Sequence, residues 1–417
     1  MKAPPGKDIW RSPIRGAWLT SILGLVLLVG LPVLFLTGLL SYAAYDPALG
    51  GRFNDPTPGK GILGFYLFEW PTRPAWLFCL TQGIHVIGGL MLVPVLLAKL
   101  WSVIPKLFAL PPVRSLAHLL ERLSLLLLVG GGIFVFVTGI LNIQYFYVFP
   151  AGFYASHFYG AWVFVAALAL HVILKARTMV TALRSRSIWN ELRTGLADTR
   201  PEPADATGLV STAPAEPTVS RRGALGFVAA GSALLALLSA GQTIGGPLRR
   251  LAVLAPRGGA EGPGPNDFVV NKTAAYRRIT PAQTGPSWRL DLRGFESVSL
   301  SRSDLLALTL HSERLPIACV EGWTTVQTWT GVRLADLAAL VGVREATGVA
   351  VESLQRGGGF GSANLAGNQV RDLRSLLALR VNGADLSLDH GFPARIIVPN
   401  TPGVHCTKWV SRLTFWT

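Results

Sequence analysis

The chain has 417 residues, a formal net charge of +15, 50% hydrophobic residues and only 15% charged ones. An ordinary soluble domain carries about 25% charged residues, so a wholly soluble globular protein is excluded. No basic stripe with interleaved aromatics accompanies the charge, which argues against nucleic acid as a partner.

Uncharged stretches fall at residues 17–45, 75–98, 123–174 and 223–248. About 20 apolar residues cross about 30 Å of hydrocarbon. The 123–174 stretch is long enough for two crossings and is interrupted at NIQYFYVFPAGFY (142–154), where Asn, Pro and Gly sit among interfacial aromatics. Five membrane helices are therefore expected, with the lipid bilayer as a partner. Basic residues number four in 1–16, four in 99–122 and eight in 175–222, against three in 46–74 and none in 142–157. The positive-inside bias places the N-terminus in the cytoplasm and everything beyond the fifth helix on the outer face.

Five segments follow from composition. Residues 1–186 form a four-helix membrane domain, and the Pro/Ala/Thr/Glu-rich stretch 187–222 reads as a disordered cytoplasmic linker. The fifth helix is expected over 223–248, and a Gly/Pro-rich flexible tether over 249–266. Residues 267–417 mix strand-like runs (WRLDLRGF, ARIIVP, WVSRLTF) with helical ones (SRSDLLALTL, LADLAALVGV, VRDLRSLLAL), predicting an α+β, mostly β, external domain. The NG of LRVNGADLSL predicts a hairpin turn. Three cysteines make no disulfide framework; Cys79 reads as helix packing, and Cys319 and Cys406 leave a pairing open. The GGG at 357–359 lacks the surroundings of a nucleotide loop.

Histidine is costly in a bilayer, so each one there is a candidate site. His157 and His171 stand 171 − 157 = 14 residues apart on the fourth helix. That spacing is roughly 21 Å along the axis, on nearly one face. It suits two stacked haems, each ligated by one imidazole from this helix and one from a neighbour. By depth, His85 pairs with His157 as an outer couple and His118 with His171 as an inner one. A single haem between His85 and His171 stays open. The pattern resembles the di-haem cytochrome b subunits of membrane formate dehydrogenases, which implies haem b, in one or two copies, and electron exchange with quinone. In that family a ligand comes from helix one, which here has no histidine.

VSRRGALGFVAAG (219–231) resembles a bacterial twin-arginine export signal, placed inside the chain. The resemblance implies an inner-membrane protein whose folded C-terminal domain is exported, with helix five as an uncleaved anchor.

HGFPARIIVPNTPGVHCTKWVSRLTF (390–415) resembles the end of the sulfite oxidase-type molybdopterin domain. The resemblance implies that His390, Arg395 and Lys408 hold the pterin and that Cys319, in ACVEGW, binds molybdenum. Forked and point-charge donors suit a phosphate dianion, and a thiolate suits the metal. Thr324 and Val270 stand where sulfite oxidases have arginines, and CVEGW with the following WTG is closer to the periplasmic methionine sulfoxide reductase catalytic subunit. In that group Glu321 lines the pocket as a proton donor, and Asn271 and Trp323 shape it. The expected function is a membrane oxidoreductase reducing an S- or N-oxide, including methionine sulfoxide in proteins, with quinol as donor. Oxidation of sulfite or another small sulfur compound is the alternative. A non-catalytic haem-bearing tether is the alternative of another class.

Overall fold

The computed structural model describes residues 11–45, 68–108, 115–142, 153–203, 208–211, 213–257, 259, 261–356 and 361–417, without the side chains of residues 117, 118 and 121. The GGG at 357–359 and most of the 142–154 break lie outside that description. Among the described residues, five helices are long and apolar enough to cross a membrane. They are α1 (Ala17–Tyr45), α2 (Leu77–Leu107), α3 (Leu116–Asn142), α4 (Phe153–Arg184) and α6 (Arg221–Ile244), with a short α5 (Ile188–Arg193) before the last. The fifth long helix ends before residue 248 because Gly245 and Gly246 take positive φ and a 3-10 turn, Gly246–Leu251, follows.

The chain forms two compact units. The first comprises Met1–Leu36, Ile87–Thr138 and His157–Ala236. Its core joins Leu19, Leu23, Leu27 and Leu31 of α1, at helical spacing, to Leu92, Val95 and Phe164. Here the expected disordered linker requires correction. Arg221 is 2% exposed and pairs with Glu202 at 2.6 Å and Glu191 at 3.6 Å. Arg186 reaches the same two carboxylates at 2.9 and 3.3 Å. A buried guanidinium must be paired, and Glu191 and Glu202 of the 187–222 stretch supply the partners. Composition counts those glutamates as solvated, because it does not register what they meet.

The second unit comprises Thr37–Val86, Gly139–Ser156 and Leu237–Thr417. After α7 (Pro281–Thr284) its strands are β1 (Arg289–Arg293), β2 (Ser297–Ser301), β3 (His311–Ala318), β4 (Thr324–Arg333), β5 (Gly348–Ser353), β6 (Ser362–Ala366), β7 (Leu376–Val381), β8 (Ala384–Asp385), β9 (Arg395–Ile397) and β10 (Val410–Trp416). One sheet has the order β2-β1-β10-β5-β6, the other β3-β4-β7-β8 with β9 on β7. The short helices α8 (Arg302–Ala307), α9 (Leu334–Leu340) and α10 (Gly367–Arg371) cover them. One core, with Leu290, Leu292, Leu337, Val349, Leu379 and Leu413, fills the space behind the first sheet. Another, with Trp329, Ile317 and Ile397, contains Cys319 and Cys406.

The strand-like runs and the first two helical runs form as expected. VRDLRSLLAL does not: the helix stops at Arg371 and Leu376–Val381 is a strand. That strand lies between β4 and β9, so its amides gain ladder partners that outweigh leucine's helical preference. The NG turn forms, with Asn382 at φ 49° and Gly383 at 83° joining β7 to β8.

Candidate functional site

Cys319 lies in the five-residue connection between β3 and β4. The loop closes on itself: the Cys319 amide donates to the Trp323 carbonyl (3.0 Å) and the Gly322 amide to the Cys319 carbonyl (2.9 Å). Gly322 holds φ at +91°, which a side chain would strain. The three cysteines are unpaired, so the open disulfide between Cys319 and Cys406 does not form. The Cys319 thiol is 4% exposed. Burial, and then the charge of Glu321, push its pKa up to about 12. A cation bound at the sulfur is what would make this group a thiolate.

Asn271 brings its amide to 3.9 Å from the sulfur. Glu321 accepts from Arg257 Nε (2.7 Å) and NH2 (3.3 Å) and from Trp323 Nε1 (2.7 Å). Arg257 also donates to the Val270 carbonyl (3.3 Å), the residue before Asn271. One guanidinium thus ties together both segments flanking Cys319. One expectation changes. The stretch 249–266 is no free tether, since Arg249 and Arg257 within it are 2% and 7% exposed and anchored. Glu321 has each oxygen engaged by a donor. Arg257 is the residue sequence reading missed. Beside Pro256 and two glycines it looked like linker, and only its lone charge hinted otherwise.

His390, Arg395 and Lys408 are brought together by the turn at Gly391, where φ is +109°. A Cβ there would stand 3.1 Å from Lys408 Cβ and 3.2 Å from Arg395 Cβ. Arg395 donates to the carbonyls of His390 (3.2 Å) and Cys406 (3.4 Å), and its Nε has no partner among the described residues. Lys408 donates to the carbonyls of Lys272 (2.9 Å) and Asp389 (2.6 Å). His390 stacks on Phe268 at 3.7 Å. Burial, then Arg395 and Lys408, lower its pKa to about 3, leaving it neutral. Burial lowers Arg395 to about 10, and burial with Arg395 takes Lys408 well below the usual lysine value. The buried Arg395 and the half-buried Lys408 are bonded to neutral carbonyls rather than to carboxylates. Such a donor set fits a phosphate-bearing pterin, an anion that would restore both charges.

In the helices, His85 Nδ1 lies 3.2 Å from Thr37 Oγ1. His157 Nδ1 lies 2.9 Å from the Val135 carbonyl and 3.3 Å from Thr138 Oγ1. Hydrogen bonding to a carbonyl requires a proton on Nδ1, so the lone pair of His157 is on Nε2. Metal-ligating histidines are commonly oriented in this way. His171 is half-buried on the same helix, and the side chain of His118 lies outside the described residues.

The family described as oxidoreductase molybdopterin binding domain matches residues 278–417. An uncharacterized oxidoreductase YuiH of Bacillus subtilis (strain 168) is 31% identical over 131 residues, 31% of this chain and 65% of that protein. Mitochondrial sulfite oxidase of Mus musculus is 31% identical over 147 residues, 29% of this chain and 27% of that protein. The NADH nitrate reductase of Ulva prolifera is 36% identical over 103 residues, 22% of this chain and 12% of that protein. Among solved structures, the sulfane dehydrogenase SoxCD of Paracoccus pantotrophus matches 31% of this chain and 38% of that one, at 24% identity and a TM-score of 0.29. The chain spans less than two thirds of the length of these curated relatives. Ahead of the matched residues stand five helices of membrane-crossing length. Residues 278–417 thus match a molybdopterin-binding oxidoreductase domain, and that match favours an enzyme over the non-catalytic alternative.

Proposed function

We propose that this chain is an inner-membrane oxidoreductase reducing a neutral S- or N-oxide on the outer face, with electrons drawn from quinol through haem b. The observation that carries the substrate class is the Arg257–Glu321 pair at 2.7 Å. It leaves the guanidinium beside Cys319 without free charge for a substrate anion. When bound, the molybdenum cofactor supplies a centre that exchanges an oxygen atom and two electrons with the substrate.

The chain's own residues then divide the work. Cys319 offers its sulfur as a metal ligand, and His390, Arg395 and Lys408 hold the anionic pterin. Asn271 offers an amide N–H next to that sulfur, suited to a polarised S–O or N–O oxygen. Glu321 and Trp323 keep the loop rigid. In the helices, haem b would supply one-electron steps, with His85, His157 and His171 as ligands and His118 as a further candidate. The hydrogen bond from His157 Nδ1 to Val135 supports that role. The reaction balances when the S–O or N–O bond breaks and the oxygen leaves as water. It takes up two electrons and two protons, and quinol gives up the same number on oxidation to quinone. The internal twin-arginine motif supports an exported, folded C-terminal domain, and the basic loops support a cytoplasmic N-terminus.

A second reading, oxidation of sulfite or a related anion, rests on Lys272. Its ammonium lies close enough to Cys319 and Glu321 for their charges to act on it. A reduced-minus-oxidised haem spectrum with substrates added in turn decides between them. Reoxidation of reduced haem by a sulfoxide or N-oxide is expected. Haem reduction by sulfite establishes the second reading, and absence of a haem spectrum removes the haem from both.

A further inference from the structure

The Cys319–Thr324 segment is held by more than its own sheet. Two of its bonds are internal, the Cys319 amide to Trp323 and the Gly322 amide to Cys319. The carbonyls of Val320, Gly322 and Thr324 turn elsewhere, and each is met by a side chain from the helical part of the same unit. Gln82 Nε2 of α2 donates to Val320 (2.8 Å), and Thr243 Oγ1 of α6 donates to Gly322 (2.6 Å). Arg249, in the 3-10 turn after α6, donates to Thr324. Gln82 is 3% and Arg249 2% exposed, and Thr243 is half-buried. The approach is close. A Cβ at Gly322 would lie 3.1 Å from Val86 Cβ and 3.2 Å from Gln242 Nε2, and one at Gly83 would collide with Thr243.

We propose that Gln82, Thr243 and Arg249 are positioning residues of the catalytic site. They form a three-point clasp on alternate carbonyls of the segment that presents Cys319. A surface that merely docks a domain touches outward side chains. This one takes hold of the backbone on either side of Glu321 and Trp323, one residue from the cysteine. Carbonyls turned away from solvent need donors, and without the clasp these three would lose theirs. The loop would then leave the conformation that aims the sulfur, and a misplacement of about 1 Å at a reacting centre costs roughly 100-fold in rate. Gln82 stands 85 − 82 = 3 residues before His85 on the same face of α2, so one helix turn carries both the clasp and a candidate haem ligand. The clasp itself does not depend on haem.

The test uses the full-length protein in detergent. In the metal-free form, hydrogen–deuterium exchange is followed for the amides of 319–324 and, as reference, for β1 and β10. Thr243→Val and Gln82→Met are each expected to speed exchange of the loop roughly tenfold while the reference strands stay protected. Thr243→Ser, which keeps the donor, restores protection. In the loaded form the Mo(V) paramagnetic resonance signal should shift in the Val and Met variants and return in the Ser variant. Unchanged loop exchange and an unchanged signal in both Gln82→Met and Thr243→Val overturn the proposal. Exchange rising equally in β1 and β10 also overturns it, since that marks a general loss of fold. A failure of the cysteine assignment is separate: there Cys319→Ser would retain molybdenum while the clasp variants still loosened the loop.

Discussion

The two halves of the site are charged in opposite ways. Around Cys319, Arg257 and Glu321 cancel each other at 2.7 Å, and Trp323 completes the carboxylate. Around Gly391, Arg395 and Lys408 are buried or half-buried with carbonyls for partners, and burial, reinforced by their charges, holds His390 in its neutral form. The first half is self-sufficient and keeps its shape with no ligand. The second carries an electrostatic cost that only an anion removes. The lesson is that a catalytic frame and a cofactor cradle can be told apart by whether their charges close.

Four measurements press on that contrast, the largest effect first. Cys319→Ser should abolish molybdenum content and turnover with the fold intact, read by metal analysis and circular dichroism. Arg395→Met should lower pterin retention by more than tenfold, since a buried charge-assisted contact to an anion is lost. The same variant should melt at a higher temperature in the cofactor-free form, because an uncompensated buried charge has gone. Arg257→Met goes the other way. It should destabilise the domain by about 3–5 kcal/mol by stranding Glu321, and the double variant with Glu321→Gln should recover most of that in a denaturation cycle. A cofactor cradle at Cys319 would give the Arg395 pattern instead.

The smallest effect is one of pH. Burial, and for His390 also Arg395 and Lys408, lower His390 to about 3; burial lowers His405 to about 4. Both groups therefore take up protons on unfolding between those values and about 6.5. Their contribution to stability is complete above about pH 6.5 and is lost as the pH falls toward 4 and then 3. Melting temperatures of the cofactor-free protein should fall over that window, and His405→Gln should flatten part of the slope. The cofactor should flatten it differently, by binding folded protein and restoring the charge balance around His390.

Much of the fold is visible in the residues alone. The five long helices follow from uncharged length, the strands WRLDLRGF and WVSRLTF from alternation, and the β7–β8 turn from Asn382 and Gly383. The convergence of His390, Arg395 and Lys408 is likewise implied by a short motif around one left-handed glycine. What stays hidden depends on partners distant in sequence. Leu376–Val381 is a strand because two neighbours supply its ladder, while its own residues suit a helix. Arg257 and Glu321 are 64 residues apart, and Gln82 and Val320 are 238 apart, so no local pattern joins them. The Gly/Pro-rich stretch before the domain looks loose, but Arg249 and Arg257 fasten it.

Arg221 has a consequence for how the molecule is made. Its charge is cancelled by Glu202 and Glu191 once the fold closes, yet the orientation of a membrane segment is decided while the chain is still being inserted. On the proposed topology the same side chain would be read twice, first as a free positive charge and later as the hub of an ion network. Substituting Glu202 would disturb only the later reading, and substituting Arg221 would disturb both. If that topology holds, the finished fold conceals the charge that oriented this helix, because Glu202 and Glu191 have taken it up.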